Sequence, residues 1–214
     1  MSLSGNEELV RYLKRRGLIV TEEVERAFRE VDRAHFTSGS PLIGSYGDHP
    51  LPIGEGQTIS APHMVAIMAE ALRCEPGNRV LEIGTGSGYH AAVVSRLVSP
   101  GGHVYTVERI SSLVKKAQRN IDMAGIGNII VVGGDGSRGL VEHSPYDRIY
   151  YTCAAPKVPD MVIKQLAEGG ILLAVVGPKR GAQMLERYHK GSGGVTKEDL
   201  TGCVFVPLIG EYGY

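Results

Sequence analysis

Along this chain the apolar positions change period several times, and each change marks an element. Residues 6–16 carry Leu9, Val10 and Leu13 at helical spacing. Thr21 can cap a second helix, with Glu22 and Glu23 where negative charge suits the dipole and Val24, Ala27, Phe28 and Val31 on one face. Both helices are expected to pack outside the main sheet. Residues 60–72 read as a third helix with Pro62 in its first turn, which makes Ser60 its N-cap on the plainest reading. From there strand and helix alternate. Strands are expected at 80–83, 103–107, 129–132, 146–152 and 170–176, and helices at 91–98, 111–124 and 160–167. In residues 111–124, Leu113, Val114 and Ala117 face in, Lys115, Lys116 and Arg119 face out, and Gly125 ends the helix. The wholly apolar 170–176 reads as buried on both faces. Two later strands, 183–189 and 201–207, are expected on either side of a polar, Gly-rich turn at 190–199. Such alternation predicts an α/β fold with a mostly parallel sheet. The expected organisation is one domain over 1–214: N-terminal helices and an active-site loop (1–75), a binding core (76–177) and C-terminal strands (178–214).

Two stretches break this rhythm. Residues 37–58 carry Gly39, Pro41, Gly44, Gly47, Pro50, Pro52, Gly54 and Gly56, too punctuated for a simple connection. Leu42, Ile43, Leu51 and Ile53 within it favour a packed lid. The second stretch, VLEIGTGSGYH at 80–90, is a strand, an acid, three alternate glycines and a helix start. Gly84, Gly86 and Gly88 let backbone approach a ligand, and the following helix aims its free N–H groups at it. Glu108 ends the next strand at the spacing where a carboxylate receives ribose hydroxyls. Asp135, in a Gly-Gly-Asp-Gly turn, ends the third. Glu82, Thr85 and Ser87 belong to the same strand-end cluster, which is where open parallel sheets bind ligands.

Composition narrows the ligand. Net charge is zero, which argues against nucleic acid or a membrane as the main partner. Cys74, Cys153 and Cys203 are far apart with no CxxC pair, which suits reduced thiols in the cytoplasm and offers no metal framework. No leader-like apolar segment and no run long enough to span a bilayer is evident. No Gly-Lys-Ser/Thr follows the glycines, so a phosphate-binding P-loop is excluded. A dinucleotide fingerprint asks for GxGxxG, whereas these glycines run GxGxG with Tyr89 in the sixth place; NAD is therefore the runner-up. A cofactor with no pyrophosphate fits better, its amino-acid tail on the loop, its ribose on Glu108 and its adenine by Asp135. S-adenosylmethionine has that shape.

The segments VLEIGTGSGYHAAVVSRL, VYTVERI, GDGSRG and YDRIYYTCAAPKVPD resemble the successive motifs of class I S-adenosylmethionine-dependent methyltransferases. PLPIGEGQTISAPHMVAIMAEAL and the ending FVPLIGEYGY are similar to those of protein-L-isoaspartate O-methyltransferases, which repair isomerised aspartyl sites. The resemblance implies a Rossmann-like sheet of about seven strands with helices on both faces and the last strand antiparallel. It implies methyl transfer to the free α-carboxylate of L-isoaspartyl residues, releasing S-adenosylhomocysteine. Ser60 would be the active-site hydroxyl. The cofactor would be held by Gln57, Thr58, Ile59, Ser60, His63, Glu82, Gly84, Thr85, Gly86, Ser87, Gly88, Glu108, Arg109, Asp135 and Gly136. A substrate carboxylate is already ionised near neutral pH, so no strong base is needed, and His63 is expected to pack or hydrogen-bond at its helix start. The partners expected are isoaspartyl peptides and proteins, with no nucleic acid or membrane, acted on by a cytoplasmic monomer. Lys157 stands where relatives often carry an acidic or apolar residue, and the chain lacks tryptophan.

Overall fold

The computed structural model describes residues 3–37 and 42–214. Its first two helices, α1 (Asn6–Arg15) and α2 (Glu22–Glu30), form as their apolar faces predict, and the Thr21 side chain caps α2 by accepting from the Val24 amide. The 37–58 stretch is more regular than a loop. A short helix, α3 (Leu42–Ser45), is followed by an antiparallel hairpin of β1 (Leu51–Gly54) and β2 (Gln57–Ile59). Alternation explains the hairpin: Ile53 and Ile59 point inward while Pro52, Gly54 and Thr58 face solvent. The Gly39 and Pro41 punctuation lies outside the described residues, as do the side chains of Leu42 and Ile43.

Helix α4 (Pro62–Leu72) has Ala61, not Ser60, at its N-cap, and no side chain of that residue caps it. Asp48 caps it from across the chain instead, accepting from the His63 amide at 2.9 Å. A remote carboxylate does what the adjacent hydroxyl was expected to do, because Ala61, which has no polar side chain, takes the N-cap position one residue after Ser60. At the other end, the buried Arg148 donates to the free carbonyls of Leu72 and Arg73, both at 2.7 Å.

The main sheet begins with β3 (Arg79–Ile83) and continues through α5 (Tyr89–Leu97), β4 (His103–Glu108), α6 (Ser111–Met123), β5 (Ile129–Gly133), β6 (Tyr146–Ala155), α7 (Asp160–Lys164) and β7 (Leu166–Val176). It ends in β8 (Gln183–Gly191) and β9 (Gly194–Cys203). Strand order is β5-β4-β3-β6-β7-β8-β9, with β3 to β7 parallel and the last two strands an antiparallel hairpin whose first member runs antiparallel to β7. The chain winds outward in one direction from β3 through β5, then in the other from β6. The gap between β3 and β6 is therefore the switch point, where a crevice must open.

Apolar residues alternate between the two sheet faces. Tyr150, Leu173 and Val175 join the core beneath α1, α2, α4, α5 and α6; Ile149, Tyr151 and Leu172 join the core on the α7 side. The helices are unevenly shared, and the thinner face is completed by Leu208 from the C-terminal segment. The expected turn at 190–199 is in fact mostly strand, with only residues 192 and 193 between β8 and β9. Its polar residues pair across an exposed edge: Arg187 with Glu198 at 2.7 Å and Lys197 with Glu186 at 2.8 Å. Charge at an edge strand is compatible with pairing and discourages further strand addition. The residues after Cys203 leave the ladder and touch the sheet again at Pro207, beside Ala154.

Candidate active site

At the carboxyl ends of β3, β4 and β6 lies a cavity of about 850 Å³ including its mouth. Its inner wall is the glycine loop. Gly84 and Thr85 donate their amides to the Val107 carbonyl, at 3.0 and 3.3 Å. Glu108 holds the loop from the next strand: one carboxylate oxygen accepts from the Gly86 amide at 3.0 Å, the other from the Ile110 amide at 2.9 Å. Each oxygen keeps a lone pair for a ligand hydroxyl. Asn120 of α6 donates to the Ser87 carbonyl at 2.9 Å. Two glycines at the cavity leave little room for a side chain: a Cβ on Gly84 in the loop would collide with the Thr152 hydroxyl, and one on Gly136 beyond β5 would lie 3.0 Å from Ile83 Cγ2. Gly84, Gly86 and Gly88 all have positive φ, at 103°, 56° and 88°.

Behind the loop Glu82 is fully buried. Its oxygens accept from Thr106 at 2.5 Å and from Tyr150 at 2.8 Å. Burial pushes its carboxyl up to about 8, against the pull of those two hydrogen bonds. His90 lines the same end; burial pushes its imidazole down to about 3, and neither ring nitrogen has a hydrogen-bond partner among the described residues.

The outer wall comes from distant parts of the chain. The β1–β2 hairpin is tied to α6 by Lys116, which donates to the Ile53 carbonyl at 2.9 Å, and by Ser112, which donates to Glu55 at 2.8 Å. Arg33 is fully buried and fastens the segment from within. It donates to the Ser45 carbonyl and, at 3.1 Å each, to the carbonyls of His49 and Ser60. Val206, Pro207, Leu208 and Ile209 close the remaining side. That segment is clasped by Asp135, which accepts from the Glu211 amide at 2.9 Å, and by an Arg138–Glu211 ion pair. Burial alone would raise the Asp135 carboxyl; the Glu211 and Ser137 donors outweigh it and hold it below the usual range.

Of the expected site residues, Gln57, Thr58, Ile59, Ser60, Glu82, Gly84, Thr85, Gly86, Ser87, Glu108, Arg109 and Gly136 line this cavity. Gly88, His63 and Asp135 do not. Gly88 is the N-cap of α5. His63 pairs with Asp48, Nδ1 to Oδ1 at 2.8 Å. Asp135 spends its carboxylate on the Ser137 and Glu211 amides. Ser60 presents a hydroxyl that no hydrogen bond among the described residues engages, while its carbonyl is fixed by Arg33. Arg33, His90, Thr152 and the 206–209 segment are contributors that the sequence pattern did not single out. His90 lies two residues past the last loop glycine and the 206–209 segment lies in the FVPLIGEYGY ending, and these positions carried the available signals. Among the described residues no group of three or more His, Cys, Asp or Glu is placed to hold a metal ion.

The fold and this strand-end cavity define a Rossmann-like methyltransferase of class I architecture. At the level of fold alone, the chain is similar to an S-adenosylmethionine-dependent O-methyltransferase from Thermotoga maritima (TM-score 0.51, 20% identity, 67% of this chain and 62% of that one). Two further solved structures cover nearly all of it. One is a protein-L-isoaspartate O-methyltransferase at TM-score 0.89 and 34% identity (97% of this chain, 67% of that one). The other, from Plasmodium falciparum, contains S-adenosyl-L-homocysteine; its TM-score is 0.84, its identity 27%, and the match covers 97% and 99% of the two chains. The protein-L-isoaspartate(D-aspartate) O-methyltransferase family profile matches residues 4–213. Curated relatives of that name share 49% identity in Methanothermobacter thermautotrophicus (99% of this chain, 98% of the relative) and 48% in Methanococcus maripaludis (100% of both). The chain belongs to the protein-L-isoaspartate O-methyltransferase family.

Proposed function

We propose that this protein transfers a methyl group from S-adenosylmethionine to the free α-carboxylate of L-isoaspartyl residues in peptides and damaged proteins. The observation that carries the reading is the uncommitted Ser60 hydroxyl on the wall of a cavity whose opposite wall is the glycine loop. The cavity suits the cofactor on its own geometry: side-chain-free backbone at Gly84 and Gly86 for the amino-acid portion, Glu108 lone pairs for ribose hydroxyls, and Gly136 with Leu208 for a flat base. Thr85, Gly86, Ser87 and Glu82 form the wall nearest the loop. Gln57, Thr58 and Ile59 form the lid side, and Arg109 stands at the mouth. Asp135 shapes the base end indirectly, by holding Ser137 and Glu211. When bound, the cofactor supplies a methyl group on a positively charged sulfur.

The residues need not remove a proton, because the substrate carboxylate is already an anion. Ser60 donates to one carboxylate oxygen and leaves the other free to face the methyl group. Arg33, through the Ser60 carbonyl, keeps that hydroxyl in place. The hairpin excludes water, which matters because two opposite charges cancel along the reaction and water would stabilise them apart. Alignment of this kind contributes several kcal/mol, up to about 7–11 in the best intramolecular cases. Every wall comes from one chain, which fits a monomer, and Cys74, Cys153 and Cys203 are all unpaired, which fits the reducing cytoplasm. Among the described residues no helix is long and apolar enough to cross a membrane.

The test uses two synthetic peptides that differ only in one L-isoaspartyl or L-aspartyl residue, incubated with radiolabelled cofactor and scored for base-labile ester. Label on the isoaspartyl peptide alone is the expected result. Label on neither, with cofactor still bound, would discard the repair reading in favour of methyl transfer to a small molecule or RNA.

A further inference from the structure

The reaction outlined above leaves one polar part of the cavity unused. His90, the second residue of α5, is 6% exposed, lines the cavity, and has two ring nitrogens with no hydrogen-bond partner among the described residues. Its ring rests against Tyr150, with centroids 4.6 Å apart and planes at 47°. Tyr150 belongs to β6, and its hydroxyl is committed to Glu82 on β3. His90 therefore stands over the gap between β3 and β6, where the strand order reverses. Glu108 and Gly136 lie in the opposite direction, at the ends of β4 and β5. A ligand whose ribose sits at Glu108 and whose base sits at Gly136 turns its far end toward His90. In S-adenosylmethionine that end is the amino acid.

Leaving a buried polar atom unpaired is costly, so two on one ring call for a partner when the cavity is filled. Burial keeps the ring neutral, with one N–H to donate and one nitrogen to accept. An amino-acid group offers the matching pair, a carboxylate that accepts and an ammonium that donates. The adenosine portion carries neither charge. Ser87, which also lines the cavity, has a hydroxyl with no partner among the described residues as well.

We propose that His90 is a cofactor-binding residue that recognises the amino-acid end of S-adenosylmethionine and S-adenosylhomocysteine through its ring nitrogens. This rests on the cofactor reading and assigns a role to a residue outside the expected set.

The experiment compares two ligands by calorimetry: S-adenosylhomocysteine, and 5′-methylthioadenosine, which keeps the nucleoside and thioether but lacks the amino acid. His90→Leu is expected to weaken the first about tenfold or more and the second less than about twofold. His90→Asn, which retains a donor and an acceptor, is expected to recover part of the loss. On the wild-type protein, imidazole nitrogen resonances of His90 are expected to move with S-adenosylhomocysteine and stay with 5′-methylthioadenosine; this readout needs no variant to fold. Equal losses for both ligands, or unmoved resonances at saturation, overturn the proposal. Failure of the wild type to bind S-adenosylhomocysteine would instead overturn the cofactor reading beneath it.

Discussion

The inner wall of the cavity, Gly84 to Gly88 with Glu82 and Glu108 behind it, is assembled from neighbouring strand ends and the backbone hydrogen bonds between them. The outer wall, the hairpin and the 206–214 segment, meets the sheet through two backbone bonds at Ala154 and otherwise leans on single side chains reaching far along the sequence: Arg33 to Ser60, Lys116 to Ile53, Asp135 to Glu211. One wall is more redundantly held than the other. A ladder loses one bond among many when a residue changes. A strap held by one guanidinium loses its register, which is how a rigid catalytic floor can carry a cover that opens for a protein substrate.

Arg33→Met gives the comparison its hardest test. It leaves three carbonyls without their donor, so a loss of about 2–4 kcal/mol is expected in chemical denaturation, with KM for peptide rising more than cofactor affinity falls. Arg33→Lys should not rescue it, since an ammonium cannot span three carbonyls in a fixed fork. A loss below about 1 kcal/mol would show that the outer wall is held redundantly after all.

Glu82 tests the inner wall through pH. Its carboxyl titrates higher in the folded than in the unfolded protein, so between the unfolded value of 4.5 and about 8 the folded state binds more protons. Stability contributed by this group is full at low pH and is lost as pH rises through that window. His90 works the other way, adding stability as pH rises from about 3 to 6.5, and is silent above that. The window from 6.5 to 8 therefore isolates Glu82. There Glu82→Gln is expected to flatten the decline by up to about 1.4 kcal/mol per pH unit, read from urea unfolding at several pH values. Parallel slopes for variant and wild type would show that Glu82 is solvated.

Ser60 lies where the walls meet, and its substitution carries the smallest structural effect. Because the hydroxyl has no partner among the described residues and is not the cap of α4, Ser60→Ala should change stability by less than about 0.5 kcal/mol. Turnover should fall about tenfold or more with cofactor affinity nearly unchanged. Wild-type turnover would remove Ser60 from the chemistry.

The same contrast explains what the sequence made legible. The inner wall was readable because each contributor sits at a fixed offset from a strand end: Glu82 and the glycines after β3, Glu108 closing β4, Gly136 just beyond β5. Local period and turn chemistry suffice for that. The cap on α4 was misread because Asp48 is fifteen positions away and reaches it only through the fold. Arg33 resembles any surface cation in a helix-flanking segment until its three carbonyls are brought around it. The β8–β9 hairpin was under-read because its polar residues satisfy one another across the edge, and composition alone assigns such residues to a turn. Register puts Asp135 just beyond β5, next to Gly136, but it does not line the cavity, and its carboxylate is spoken for by Ser137 and the C-terminal segment.

That last arrangement bears on the chain's own ageing. Asp135 precedes Gly136, and an aspartyl-glycyl step is the kind most open to cyclisation, in which the glycine nitrogen attacks the preceding side chain and the ring reopens as isoaspartate. The attack requires a protonated, freely turning carboxyl. Here both oxygens are pinned, one by Ser137 and one by Glu211, and the group is held ionised. The clasp that closes the cavity thus also shields the protein from acquiring, at its own binding site, the lesion it is proposed to mend.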